Sequence, residues 1–269
     1  MSQPVSPIVT PEHWPYPRWI AHRGAGKLAP ENTLAAFRVG AGYGYRMFEC
    51  DVKLSSDGVP FLMHDRTLKR TTNATALLGP KSSRVAGKHP WQTLSQLDAG
   101  AWHSSHFKGE PVATLDAIAQ FCLTGDYALN IEIKPTPGTD RHTGDVVARQ
   151  AARLWQNAAV PPLLTSFSVA ALEGAKAAAP HLPRGLLLGN LGRGWLETAL
   201  SLGCVAVVCR HSLWDKSSVT LAQSAGLRCL SYTVNGKRAV QRLQNLGTDG
   251  VITDRVDLFT SSSTFAKPK

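Results

Sequence analysis

Three carboxylates, two histidines and two cations sit where a folded chain could use them. Glu49 and Asp51 are two residues apart in the strand-like run Phe48-Glu49-Cys50-Asp51-Val52-Lys53. Their side chains therefore leave the same face of a strand. Glu132 and Lys134 repeat that spacing in Leu129-Asn130-Ile131-Glu132-Ile133-Lys134, and Pro135 ends the run. A carboxylate pair turned into a core repels itself and is costly to desolvate, so something cationic must compensate. Carboxylates facing solvent, or paired with Arg or Lys, would need nothing further. Strands enclosed by helices, however, are usually buried on both faces. Taken alone, Glu132 reads as ion-paired with a neighbour. At one barrel end with Glu49 and Asp51 it becomes a third oxygen donor. Three such donors suit a hard divalent cation, Mg²⁺ or Ca²⁺, rather than zinc.

His22 closes the apolar run Trp19-Ile20-Ala21, and His64 closes Phe61-Leu62-Met63. Each stands beside another charged residue. A histidine titrates near neutrality, so either can carry a proton to or from a reacting group. His13, His89, His103, His106, His142, His181 and His211 fall in loops or at loop edges and read as surface residues. Arg23 and Lys134 supply fixed positive charge. With a metal they would hold a phosphate and stabilise charge developing on its oxygens. The planar fork of arginine grips such oxygens at two points. A salt bridge from Arg23 to Glu31 or Glu49 is compatible with that role. Asp65 reads as a turn residue, or as one that orients a catalytic partner.

The elements that must position these residues follow from the apolar pattern. Strand one ends at His22, and Gly24-Ala25-Gly26 breaks it into a loop. Asn32 or Thr33 caps a helix through about Tyr43, ended by Gly42 and Gly44. A second strand runs over Met47–Leu54, and Ser56-Asp57-Gly58 signals a hairpin. The returning strand, antiparallel to the second, brings His64 beside Glu49 and Asp51. Residues 66–111 are rich in Thr, Ser, Gly, Lys and His without a sustained period. They read as an insertion with little regular structure above a barrel mouth. Its Trp91, Trp102 and Phe107 either form an apolar lip or pack a small subdomain. Thr114 opens a helix to about Leu123. Strands are then expected at 128–134, 163–167, 184–188, 204–209, 227–234 and 250–253, with helices near 144–157, 169–179, 194–202, 217–225 and 236–246. Short strands alternating with helices mean βα units and a parallel sheet. Without the hairpin strand the count is about eight, which predicts an α/β fold: a TIM-type (β/α)8 barrel forming one domain over 1–269, with its insertion after the second strand and hairpin. An open doubly wound sheet is disfavoured because no GxGxxG follows the first strand.

The chain has 269 residues, 43% hydrophobic and 18% charged, which is ordinary globular composition. No run of about eighteen apolar residues marks a membrane span. Met1 to Pro17 carries prolines and polar residues without an apolar signal core, so a cytoplasmic protein without stable membrane insertion is expected. Cys50, Cys122, Cys204, Cys209 and Cys229 are dispersed, without zinc or CxxC spacing, and read as reduced, buried thiols. The net charge of +10 reads as a solvated basic surface that also attracts anionic substrates. No dense Lys/Arg cluster or helix-turn-helix signature supports a nucleic-acid partner. A small-molecule substrate and a monomer or homodimer are expected.

In this order, His22-Arg23-Gly24, Pro30-Glu31-Asn32-Thr33, Glu49-Cys50-Asp51, Asp57-Gly58, His64-Asp65 and Ile131-Glu132-Ile133-Lys134-Pro135 resemble the glycerophosphodiester phosphodiesterase family. Thr165-Ser166-Phe167, Thr233-Val234-Asn235 and Thr253-Asp254 extend the likeness from about Tyr16 to Phe259. Within the family the chain looks most like the cytosolic enterobacterial branch associated with glycerol-3-phosphate uptake. That likeness rests on Trp14-Pro15-Tyr16-Pro17, Gly26-Lys27-Leu28-Ala29-Pro30, Phe107-Lys108-Gly109-Glu110-Pro111 and Pro183-Arg184-Gly185-Leu186-Leu187-Leu188. The resemblance implies a TIM barrel and metal-dependent hydrolysis of glycerophosphodiesters, such as glycerophosphocholine and glycerophosphoethanolamine, to sn-glycerol 3-phosphate and an alcohol. It assigns one divalent cation, Mg²⁺ or Ca²⁺, to Glu49, Asp51 and Glu132, acid–base work to His22 and His64, and the phosphate to Arg23 and Lys134. Tyr232 takes the place of the aromatic that commonly precedes Thr-Val-Asn and is a candidate substrate contact. Arg255 follows Asp254 where a proline is common. Two rival readings are a lysophospholipase D-like enzyme acting on lipids and a non-catalytic phosphate-binding module.

Overall fold

The computed structural model describes residues 14–79 and 81–259. The greater part of the expected N-terminal arm, His13 and the polar tail from residue 260 lie outside the described residues. In chain order the elements begin with β1 (Trp19–Ala21), α1 (Leu34–Gly42), β2 (Met47–Leu54) and β3 (Pro60–Leu62). The single-turn helices α2 (Ala74–Leu77) and α3 (Trp91–Leu94) precede α4 (Leu115–Thr124). Alternation then becomes regular: β4 (Ala128–Ile133), α5 (Asp140–Leu154), β5 (Leu163–Ser166), α6 (Val169–Ala178), β6 (Arg184–Leu188), α7 (Trp195–Ser201), β7 (Ala206–Arg210), α8 (Lys216–Ser224), β8 (Arg228–Tyr232), α9 (Lys237–Asn245) and β9 (Gly250–Thr253). Parallel pairing runs from β2 through β4 to β9, and β1 pairs with both β9 and β2. Eight parallel strands therefore close into a TIM barrel. β1 meets β2 at Ala21 and Phe48 and goes no further, so antiparallel β3 takes the edge of β2 that β1 leaves free, from Val52 to Leu54.

Side-chain parity explains what fills the ring. Ile20, Met47, Leu163, Leu187, Ala206, Val208, Leu230 and Ile252 form one buried cluster with Tyr16. The Tyr16 hydroxyl donates to the Pro161 carbonyl at 2.9 Å, which anchors this end of the interior. Alternate residues of the same strands, among them Ala21, Phe48, Cys50, Val52, Leu129, Ile131 and Ile133, belong to the larger cluster against the helices. Burying each large aliphatic side chain contributes about 1.5–3 kcal/mol, so slipping a strand by one residue is strongly opposed. The helices start where the sequence offers an oxygen. Thr33, Thr114 and Ser168 accept from the backbone N–H three residues on, and Asp215 forms a capping box with Ser218. Each cap contributes on the order of 1 kcal/mol. At the far end of the described chain Phe259 stacks on Trp19, with ring centroids 5.4 Å apart.

Residues 66–111 contain single helical turns rather than long elements. They are held by their own apolar cluster, in which Leu68, Ala74, Ala86, Leu94, Leu97 and Ala99 pack with Phe61 and Met63. The Asp98 carboxylate accepts backbone N–H groups from Gly100, Ala101 and Gly109, each at 2.8 Å. Sequence pattern misplaces one histidine here. His89 is buried, with Nε2 2.7 Å from the Ser83 carbonyl, because it lies beneath the folded insertion instead of on an open loop. His142 lies within α5. All five cysteines are buried and free, as their dispersion predicted. Among the described residues no helix is long and apolar enough to cross a membrane.

Candidate active site

The register of β2 against β4 sets Asp51 opposite Glu132 and Glu49 opposite Asn130. Inward parity then aims all three carboxylates into the same end of the barrel. One oxygen from each of Glu49, Asp51 and Glu132 lies within 4.8 Å of the others. Their residues are 3%, 0% and 9% exposed, so water screens them little. Among the described residues, Glu49 Oε1 and Asp51 Oδ1 have no hydrogen-bond partner. Burial, then Asp51 and Glu132, push the Glu49 carboxyl well above the ordinary glutamate value. Burial and Asp51 push Glu132 up to about 7, although Lys134 pulls it down. Burial acts the same way on Asp51, but Arg23 and Lys134 outweigh it and hold Asp51 well below the usual range. Asn32 holds both sides of that residue: its Nδ2 donates to Asp51 Oδ2 at 2.8 Å, and its Oδ1 accepts the Asp51 N–H at 3.0 Å. Buried, convergent carboxylate oxygens with free lone pairs and carboxyls that ionise reluctantly fit a hard divalent cation, which would take the place of their protons.

Each histidine is backed by an aspartate. His22 Nδ1 is 2.6 Å from Asp254 Oδ1, and its Nε2 is 3.8 Å from Glu49 Oε2. Asn235 fixes Asp254 by donating Nδ2 to Oδ2 at 2.8 Å and accepting the Asp254 N–H at 2.9 Å. His64 Nδ1 is 2.9 Å from Asp65 Oδ1. A carboxylate at Nδ1 favours the tautomer that carries its proton there, leaving Nε2 available for transfer. Burial lowers the His64 pKa, and Arg23 and Lys134 add to the effect against the pull of Asp51.

The cations lie among these groups. Arg23 adopts a left-handed backbone, φ 53°, which turns its N–H to donate to Glu49 Oε2 at 3.0 Å. Its guanidinium donates NH1 to Glu31 Oε1 at 2.8 Å and sets Nε 3.2 Å from Asp51 Oδ2. Lys134 Nζ donates to Glu132 Oε1 at 2.8 Å and stands 3.5 Å from Asp51 Oδ1. Burial works against the Lys134 ammonium, but Asp51 and Glu132 more than offset it and raise its pKa. Buried Lys53 follows Asp51 on the inward face; desolvation, then Lys134, bring it down to about 8.

His22, Arg23, Glu49, His64, Glu132 and Lys134 line one cavity of about 210 Å³, with Phe167, Leu187 and Tyr232 on its apolar side. Asp51 lies beneath it, fully buried. The Tyr232 hydroxyl donates to the Leu188 carbonyl at 2.9 Å, and its ring meets Phe167 edge-on at 5.8 Å. Lys134 Nζ lies 5.8 Å from the Phe167 ring centre. A wider cleft of about 540 Å³ at the opposite barrel end, between Arg46 and Trp155, gathers no such carboxylates. Every site residue expected from sequence thus lies in or against this one cavity. Asn32, Asn235, Asp254, Phe167 and Arg70 are the contributors to which sequence reasoning gave no role in the site; Asn32 read as a possible helix cap, but Thr33 makes the cap and Asn32 turns to Asp51. The first four fall in recognisable motifs. The position of Asp254, and with it of Asn235, follows from barrel closure, since β1 and β9 pair with Ala21 opposite Thr253 and so set Asp254 beside His22.

The model of the glycerophosphoryl diester phosphodiesterase family matches residues 22–258. A glycerophosphodiester phosphodiesterase of Caldanaerobacter subterraneus is 31% identical over 239 residues, which cover 87% of this chain and 93% of that protein. Among solved structures, an Oleispira antarctica phosphodiesterase in complex with the product sn-glycerol-3-phosphate is 32% identical, with a TM-score of 0.80 over 89% of this chain and 93% of that one. A glycerophosphodiester phosphodiesterase from Agrobacterium tumefaciens is 27% identical, with a TM-score of 0.75 over 90% of this chain and 98% of that one.

Proposed function

The chain belongs to the glycerophosphoryl diester phosphodiesterase family, and on that premise we propose that it hydrolyses soluble glycerophosphodiesters, such as glycerophosphocholine and glycerophosphoethanolamine, to sn-glycerol 3-phosphate and an alcohol with a divalent cation. One observation carries the reading: three buried carboxylates within 4.8 Å of one another adjoin two aspartate-backed histidines. Glu49, Asp51 and Glu132 would hold Mg²⁺ or Ca²⁺, which when bound supplies positive charge beside the phosphate. Arg23 and Lys134 grip non-bridging phosphate oxygens and stabilise the charge that develops on them. One histidine takes the proton of the attacking oxygen at its Nε2, and the other protonates the departing alkoxide. Asp254 and Asp65 keep the two rings turned for that exchange. The attacker is water, or the glycerol 2-hydroxyl forming a cyclic phosphate that water then opens. Phe167 and Tyr232 offer an apolar wall to the carbon skeleton of the substrate.

The insertion favours a soluble substrate over a lipid. Trp91 packs onto the cluster within the insertion and Phe107 onto the main core, which leaves only Trp102 of the three aromatics exposed, at 38%. Among the described residues the exposed apolar side chains here are Trp102 and Leu77 of the insertion and Phe167 at the cavity, a narrow lip for a membrane. The test is a coupled assay for glycerol 3-phosphate with several head groups, on chelated protein with and without Mg²⁺ or Ca²⁺. Product that appears when the cation is restored is the expected result. Full activity after chelation would remove the cation from the reaction. Turnover of lysophospholipid above that of every soluble diester would replace the substrate class.

A further inference from the structure

Arg70 lies in the insertion and touches no carboxylate of the metal set, yet it joins the two sides of the site. Its Nε and NH2 donate to Asp65 Oδ2 and Oδ1 at 2.8 and 2.9 Å. Its NH1 and NH2 donate to Glu31 Oε2 and Oε1 at 2.7 and 2.8 Å. Both carboxylates are already engaged. Asp65 holds His64 Nδ1 at 2.9 Å, and Glu31 accepts from Arg23 NH1 at 2.8 Å. One planar group therefore completes a chain from Arg23 through Glu31, Arg70 and Asp65 to His64. The face of the guanidinium lies 5.9 Å from the Trp102 ring centre, which seats it from the insertion side.

An isolated surface ion pair would add little, and the Arg70 side chain is 44% exposed. The arrangement is unusual in its geometry. Two carboxylates take both edges of one fork, so neither can rotate without breaking a pair of parallel bonds. Glu31 lies in the loop after β1, and Asp65 in the loop after β3. No strand pairing ties those two loops to each other, so Arg70 supplies the tie. A lysine in its place would carry the charge but could not present two parallel donors to each carboxylate.

We propose that Arg70 is a positioning residue for both sides of the site: it fixes the carboxylate that aims His64 and the carboxylate that aims Arg23. This rests on the roles given above to His64 and Arg23. The insertion is then part of the catalytic apparatus, not only a cover. Loss of Arg70 acts on kcat through His64 and on KM through Arg23.

The experiment compares the whole enzyme with Arg70→Ala, Arg70→Lys, His64→Ala, the pair Glu31→Gln with Asp65→Asn, and that pair combined with Arg70→Ala. Glycerophosphocholine is the substrate at saturating cation, and melting temperatures are recorded alongside. For Arg70→Ala the expected loss in kcat is about 10²-fold, the scale of a misaimed catalytic group, with a raised KM. Free guanidinium ion, well below denaturing concentration, restores part of the turnover of Arg70→Ala and none of that of His64→Ala. In the Glu31→Gln, Asp65→Asn background, removing Arg70 costs less than about tenfold further, because its two contacts are already altered. If Arg70→Ala does not fold, Arg70→Lys carries the same test, and wild-type kcat and KM in that variant overturn the proposal. Wild-type kinetics in Arg70→Ala with an inactive His64→Ala overturn the positioning role alone. An active His64→Ala overturns the underlying reading of the site. A full further loss in the double-variant background shows that Arg70 acts elsewhere and also defeats the proposal.

Discussion

Arg23 and Lys134 both face Asp51 and hold its carboxyl well below the usual range, whereas burial raises those of Glu49 and Glu132. Glu49 and Glu132 meet the same burial with less compensation, and this contrast makes the trio receptive to a cation. The histidines border the same charges, and the proposed reaction gives them the proton transfers. Replacing either His22 or His64 by alanine is expected to lower turnover by about 10²–10⁴-fold, read in the glycerol 3-phosphate assay. Near wild-type rates in one variant would dismiss that residue from the chemistry. At this scale the sequence was readable where a role needs only a strand and a parity. Glu49 and Asp51 share a face by spacing alone. Asp254 and Arg70 were not readable in that way. The first depends on which strand closes the ring, and the second on the fold of a segment without periodicity.

The strands place the chemistry and the loops after them refine it. β1 ends at Ala21, and the turn that follows passes close to the turn after β9. Gly26 marks the contact: its φ is +59°, and a Cβ there would stand 2.2 Å from the Asp254 Cα. A substitution is strained both by its backbone and by collision with a backbone that cannot yield cheaply. Gly26→Ala is expected to lower the melting temperature by several degrees, corresponding to about 1–3 kcal/mol, and to depress kcat by moving Asp254 from His22. Unchanged kcat in a folded Gly26→Ala protein would show that this turn does not set the His22–Asp254 pair. The strands and long helices were legible because apolar runs, glycines and capping residues agree about their limits. α5 begins at Asp140, earlier than its apolar period suggested, because its first turn, Asp140 to Thr143, is made of polar residues. The insertion was legible only as an interruption. Its turns are too short for any period to appear, and its small cluster is assembled from residues scattered between Phe61 and Val112.

Across the whole molecule, a cation held by Glu49, Asp51 and Glu132 would couple its binding to stability. A glutamate in an unfolded chain titrates near 4.3, whereas burial in the fold pushes Glu132 up to about 7 and raises Glu49 as well. Between those values the folded state binds more protons than the unfolded state, so stability falls as pH rises through the window. Asp51, Asp65 and Asp254 are shifted downwards and act in the opposite sense, but their contribution is present at neutrality and is lost only in strong acid; the lowered His64 also opposes the trend, near and below the ordinary histidine value, where the two raised glutamates outnumber it. Chelated protein is therefore expected to lose stability between about pH 5 and about pH 7.5. Added Mg²⁺ or Ca²⁺ should raise the melting temperature more at the upper end of that range. A cation effect that is flat or shrinks with pH would contradict the assignment of Glu49 and Glu132.

The closed ring also imposes an order in time. Asp254 and His22 are 232 residues apart in the chain, and they meet only when β9 docks between β8 and β1. On the ribosome the strands bearing all three carboxylates emerge well before that last strand. A growing chain can gather acidic residues early, yet it cannot aim His22 until synthesis has passed residue 254. A chain that has not yet docked β9 would therefore hold the three carboxylates without the aspartate that backs His22.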